Sequence, residues 1–139
     1  MISFELAIKM LQLAQSNARQ HSYQPMGIVI VDAASNLVAG ARELGASALR
    51  LDIAIGKANA AIGMGINSRM LARRAVDLPV FFGAIAASAT HRFIPQTGAV
   101  LIKNANGDIL GAIGASGGTG DEDEQICIFA IDQVGLAKG

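Results

Sequence analysis

Two pairs of apolar, β-branched runs, each joined by only four residues, constrain what this 139-residue chain can become. Gly27-Ile-Val-Ile-Val-Asp32 passes through Ala33-Ala-Ser-Asn36 into Leu37–Glu43, and Ala99-Val-Leu-Ile-Lys103 passes through Asn104-Ala-Asn-Gly107 into Asp108–Ile113. Links this short join antiparallel neighbours, because a parallel pair needs a crossover of a dozen residues or more. Asn-Gly in the second link supplies the positive φ angles of a tight turn. The uninterrupted apolar run of residues 28–31 is the pattern of a central strand covered on both faces.

Helical spacing fills the rest. Phe4, Ala7, Ile8, Leu11 and Ala14 predict a first helix to about Gln20, with Ser3 as its N-cap. A second helix, capped by Ser47, runs to Met64 and is apolar around its circumference, so it is predicted to be buried. Asn67 opens a shorter helix through Ala75, and Pro79 sits in the first turn of another that reaches about Ala87. Thr119, with Glu122 three residues on, forms a capping box for the last helix. The order α-β-β-α-(α-α)-β-β-α implies an α+β domain over residues 1–139, with an antiparallel sheet flanked by helices.

Hydrophobic residues make up 52% of the chain and charged ones 16%, an apolar surplus read as surface buried between subunits. The second helix and Val80-Phe-Phe82 are expected to carry it. A membrane span is not indicated, because Leu78–Ala89, the longest apolar run, contains Pro79, Gly83 and Ser88 and is too short to cross a bilayer. With no cleavable leader evident, the expected location is cytoplasmic. Formal net charge is zero, which lacks the footprint of a nucleic-acid binder. Arg69, Arg73 and Arg74 read as a solvated helix face. Cys127 is the only cysteine, so an internal disulfide and a multi-cysteine metal site are excluded.

The glycine-rich stretch Gly111-Ala-Ile-Gly-Ala-Ser-Gly-Gly-Thr-Gly runs straight into Asp121-Glu-Asp-Glu124. Glycines let a backbone approach a neighbour closely. The acids argue against phosphate, because the helix N-terminus that would attract an anion already carries its own carboxylates. A better use of Gly114, Ser116, Gly117, Gly118 and Thr119 is to offer N–H groups and hydroxyls to a ligand carbonyl or carboxylate. Lys57 interrupts an apolar helix, and a buried ammonium needs an acidic partner. Near a flexible loop, such a pair is either a general acid/base site or a structural ion pair.

Ile28-Val-Ile-Val-Asp32, Asp52-Ile-Ala-Ile-Gly-Lys57-Ala, Arg92-Phe-Ile-Pro95 with Gly98-Ala-Val-Leu-Ile, and Gly111-Ala-Ile-Gly-Ala-Ser-Gly-Gly with Asp123-Glu124 occur in one order along the whole chain. Together they resemble the GlcG/HbpS-like family, which includes the C-terminal domain of PduO-type proteins. The resemblance implies a profilin-like α/β/α sandwich and a homo-oligomer, from dimer to octamer. It also implies a small-molecule ligand, with haem or another tetrapyrrole as the first cofactor to consider, in a pocket at Gly114–Thr119 near a subunit interface. It places Asp123 or Glu124 opposite Lys57.

Haem needs an axial ligand beside an apolar slot. His21 and His91 are the candidates, ahead of Met26, Met64, Met70, Tyr23 and Cys127. The resemblance favours a histidine near the end of the first helix, the region of His21. Cys127, in the apolar part of the last helix, reads as a buried inert thiol. Two alternatives remain open. One is an enzyme acting on a small carboxylate metabolite, with Lys57 and Glu124 transferring protons. The other is a ring-forming accessory protein without its own ligand.

Overall fold

The computed structural model describes residues 1–139, and its elements follow the expected order with one addition at the end. They are α1 (Phe4–Gln20), β1 (Gly27–Asp32), β2 (Leu37–Arg42), α2 (Leu49–Met64), α3 (Ser68–Asp77), α4 (Pro79–Ser88), β3 (Ala99–Lys103), β4 (Ile109–Ser116), α5 (Gly120–Gln133) and β5 (Ala137–Lys138). The five strands form one sheet in the order β2-β1-β4-β3-β5, and every pairing is antiparallel. No helix is long and apolar enough to cross a membrane.

Strand alternation divides the core in two. Ile28, Ile30, Val100, Ile102 and Ile113 face α1 and α5, where they meet Ala7, Met10, Ala14, Ile126, Ala130 and Ile131. Val29, Val31, Leu101 and Ala112 face α2 and meet Ala54, Ala58 and Ala61. Successive side chains of a strand point to opposite faces, so a run such as residues 28–31 has to be apolar throughout. The result is the expected α/β/α sandwich.

The sheet-facing side of α2 is small, and the strands beneath it carry glycine where the helix comes closest. A Cβ on Gly27 would stand 2.7 Å from the Arg50 carbonyl carbon, and one on Gly114 would stand 2.7 Å from the Ala54 oxygen. This close approach fixes the height of Lys57, on the same helix, above β4.

Local signals hold at several element ends. The Ser3 hydroxyl accepts from Leu6 N at 3.1 Å, and Thr119 and Glu122 complete the reciprocal capping box. Asn104 Oδ1 accepts from both Asn106 and Asp108 N–H across the second hairpin. In the first, Asp32 Oδ1 takes the Ala34 and Asn36 N–H groups. The Asn36 N–H leads in holding that carboxyl below the usual carboxylate range.

Other expectations need correction. Ser47 is not the cap of α2: Ala48 occupies that position and makes no side-chain cap bond. The strand expected to stop at Ile113 continues to Ser116, because β1 pairs with it as far as Gly27↔Ser116. The second helix supplies less of the apolar surplus on the surface than expected, since residues Ala54 and Gly56–Ala61 are buried within the chain and only Leu49, at its start, is an exposed large apolar side chain. Among the other exposed large apolar side chains are Val76, Leu78, Val80 and Phe81, while Phe82 is buried. The short β5 carries no signal in the sequence.

β3 is tied along its outer edge by more than β5. The Ser68 hydroxyl accepts from Ala99 N at 2.7 Å and donates to Ala99 O at 3.2 Å. Asn67 Oδ1 accepts from Leu101 N at 2.8 Å, and Gly139 N donates to Leu101 O at 3.1 Å. Asn67 opens α3 as expected, but its side chain serves the sheet and leaves the helix end without a side-chain cap.

Candidate functional site

The chain forms four clefts around the residues singled out above. The first is built on the charge inside α2. Lys57 Nζ donates to Asp123 Oδ2 at 2.9 Å and to Ala115 O at 3.0 Å, with both side chains buried. Asp123 lies in the first turn of α5 and its other oxygen accepts from Gly118 N at 2.9 Å. Gly98 has φ +138°, and a Cβ there would sit 2.7 Å from Lys57 Nζ, so only glycine leaves room for the ammonium.

Burial pushes the Asp123 carboxyl up, while Lys57, the Gly118 N–H and Arg50 pull it back. The ammonium has three donors, two of which meet protein acceptors. Around it opens a cleft of about 420 Å³ lined by Arg50, Gln96, Thr97, Ser116 and Gly118, with Ile53 its one hydrophobic residue. Arg50 donates to Ser116 Oγ at 3.3 Å. Two cations and one carboxylate make this a place for a small anion such as a carboxylate.

Glu124 is not part of this cleft. Both its oxygens accept from Arg69 Nε at 3.0 Å, and Arg69 also bonds Asp121. Arg69 therefore ties α3 to the start of α5 and is not a free solvated charge. The expected loop is also shorter, since Gly114 and Ser116 belong to β4 and only residues 117–119 turn. Ser116 is buried.

Cys127 lies under Asp123 and its Sγ is 3.6 Å from Gly98 O. Burial pushes its thiol far up, and the Asp123 charge adds to that, so no thiolate forms there.

The second cleft is a groove of about 530 Å³ between α1 and α5, lined by Asn17, Gln20, His21, Gln125, Ile128, Phe129 and Asp132. His21 caps α1 and stacks on Tyr23 with ring centroids 5.1 Å apart. Tyr23 donates its hydroxyl to Gln125 Oε1 at 2.6 Å. Asn17, one helical turn before His21, is buried, and no donor reaches its Oδ1. A buried amide oxygen left alone is rare in a finished core.

The third cleft, about 200 Å³, holds exposed His91 with Ser35, Asn59, Thr90, Arg92 and Phe93. At that volume it does not enclose a tetrapyrrole. Of the other candidate ligands, Met26 is buried in the core and Met64 is partly covered. Met70 lines a further cleft of about 500 Å³ with Ile66, Val100, Leu101 and Ile128, where no histidine stands. No three His, Cys, Asp or Glu side chains gather as a metal site.

Sequence reasoning missed Arg50, Gly98 and the two lone amides. Asn17 and Asn59 interrupt apolar helical faces just as Lys57 does, and that was the signal available.

The sequence matches the model of the family described as "Haem degrading protein HbpS-like" over residues 2–132. No curated protein matches it. Among solved structures, the PduOC:haem complex shares 22% identity, covering 97% of this chain and 96% of that one, with a TM-score of 0.85. A double mutant of HbpS from Streptomyces reticuli shares 24% over 96% of this chain and 86% of its own (TM-score 0.83). Klebsiella pneumoniae ORFY shares 23% over 94% and 88% (TM-score 0.83). At these identities the likeness speaks for the fold.

Proposed function

The chain belongs to the HbpS-like family, and from that premise we propose that it is a small-ligand-binding protein whose ligand is haem or a similar tetrapyrrole. His21, in the groove between α1 and α5, is the residue that would hold its iron. One observation carries this: His21 stands one turn from the buried, unpartnered Asn17 amide, in a groove walled by Ile128 and Phe129. Haem asks for an imidazole beside apolar surface. Asn17 lines the same groove, and the NH2 group of its amide is a donor of the kind a propionate accepts from. That one known structure of this fold is a complex with haem supports the choice of ligand. Bound there, haem would supply iron-centred redox chemistry, while the chain supplies the imidazole, the amide and a wall that limits water.

Titration of the full chain with haemin, followed in the Soret band, tests the reading. Saturable binding that His21→Ala abolishes and both His91→Ala and Met70→Leu preserve is the expected result. Unsaturable binding, or loss only with Met70→Leu, overturns it.

A second reading rests on the Lys57 cleft, where Arg50 and Lys57 outnumber Asp123. It takes a small carboxylate metabolite, with Lys57 handling a proton and Asp123 in the place the sequence offered to Glu124. Lys57→Met with fold intact and turnover of such a carboxylate lost is its test; an inert wild type removes it.

A further inference from the structure

The cleft beside Met70 has no part in either reading. It is lined by Ile66 and Met70 at the start of α3, by Val100 and Leu101 of β3, and by Ile128 of α5. Met70 is 42% exposed, and Ile66 and Ile128 are only partly covered, so the fold leaves apolar side-chain surface open along it. Its volume of about 500 Å³ falls within the range of small-molecule sites, roughly 300–1,000 Å³.

Charge around this apolar surface is one-sided. Arg69, Arg74, Lys103 and Lys138 stand against a single acidic side chain, Glu124. Both oxygens of Glu124 are taken by Arg69, and Lys138 pairs with Asp132. Arg74 and Lys103 are left over. No acid, the terminal carboxylate included, lies within salt-bridge distance of either. Lys103 is half-buried at the end of β3, and Arg74 lies one turn along α3 from Met70. The main chain in the cleft is already bonded, Leu101 N to Asn67 Oδ1 and Leu101 O to Gly139 N, so recognition falls to side chains and not to an added strand.

We propose that this cleft binds an amphipathic carboxylate, an apolar body of medium length with one anionic end. The body covers Ile66, Met70 and Ile128, and the carboxylate meets Arg74 and Lys103, two cations for which the fold supplies no partner. A neutral chain or a small hydrophilic anion would satisfy only half of this surface. Eight carbons and two oxygens occupy about 300 Å³ at about 30 Å³ per group, which the cleft accommodates.

The experiment titrates the 15N-labelled full chain with sodium octanoate, octan-1-ol and sodium acetate at one ionic strength. It reads the backbone amides of residues 65–70, 74, 101–103 and 128. Octanoate should give saturable shifts there. Octan-1-ol, the same body without the charge, should bind about tenfold more weakly. Acetate, the head without the body, should bind roughly a hundredfold more weakly or less. Lys103→Gln should weaken octanoate about tenfold and exposed Arg74→Gln about threefold, with octan-1-ol unchanged in both. Met70→Ser should weaken octanoate and octan-1-ol alike.

Octanoate that does not saturate, octan-1-ol that binds as tightly, or shifts confined to the His21 groove overturn the site. So does octanoate affinity that neither cation variant lowers. If Lys103→Gln does not fold, Arg74→Gln still decides. The haemin titration should be unchanged by Arg74→Gln, so this cleft and the His21 groove stand or fall separately. A loss of haemin affinity equal to the loss for octanoate would assign the cleft to the tetrapyrrole and overturn the proposal.

Discussion

Replacing Lys57 by methionine removes the only cation touching Asp123 Oδ2 and leaves a buried carboxylate with one remaining protein donor, the Gly118 N–H. Breaking a buried pair from one side typically destabilises a protein by about 3–5 kcal/mol, because the other charge is stranded. Asp123→Leu strands the ammonium on the Ala115 carbonyl alone and should be similarly severe. The double variant Lys57→Met/Asp123→Leu removes both charges. It leaves the Gly118 N–H and Ala115 O to find other partners, so a loss of only about 1–3 kcal/mol is expected.

Urea unfolding at one fixed protein concentration, with equal m-values required across the set, gives the cycle. Coupling above about 3 kcal/mol is expected. If the double variant is as damaged as the sum of the singles, or Lys57→Met costs under about 1 kcal/mol, the pair is not what pins α5 to α2.

The pH dependence has a definite sign. Burial already raises Asp123, and losing Lys57 raises it further. A native carboxyl raised above its unfolded value of about 3.9 stabilises most below that value and loses the contribution as pH rises through the native one. The deficit of Lys57→Met relative to wild type should therefore be smaller near pH 4 than near pH 8. A deficit that grows on acidification refutes the assignment.

Gly114→Ala should destabilise by about 1–3 kcal/mol in thermal or urea unfolding, because its methyl would meet the Ala54 carbonyl oxygen at 2.7 Å; a neutral result would mean that α2 can lift from the sheet. Thr119→Ala loses half of the capping box and should cost about 0.5–2 kcal/mol by the same measurement, against almost nothing for substitution of exposed Thr90. Exposed Val76, Leu78, Val80 and Phe81 lie close together in the chain across α3 and α4 and predict an assembly of two or more subunits. Size-exclusion chromatography with light scattering checks it, and a monomer at micromolar concentration contradicts it.

What can be read in advance is local. The Thr119 box, the Asn104–Gly107 turn and the Asp32–Asn36 turn are decided by residues within four positions of one another, so sequence suffices. The end of β4 escapes such reading for the opposite reason. Residues 114–116 carry a glycine and a serine that suit a loop, and only pairing with β1, distant in the chain, makes them a strand. Lys57 announces itself because a single charge in an apolar helix demands a partner. The choice between Asp123 and Glu124 depends on a fraction of a helical turn and on Arg69, which claims Glu124 from another helix. The lone amides of Asn17 and Asn59 are a property of surroundings, invisible until the neighbours are in place.

The tied edge of β3 sets a rule for growth. Ser68, Asn67 and the chain's last residues already occupy its outward hydrogen-bonding groups, so a strand from another molecule finds no template there. Apart from the two residues of β5, only β2, at the other end of the sheet order, is left to receive one. Two copies joined edge to edge through β2 would each present, at the far end, an edge strand of only two residues. Continuous sheets, the route to fibres, would have only that short edge to grow from, which works against them.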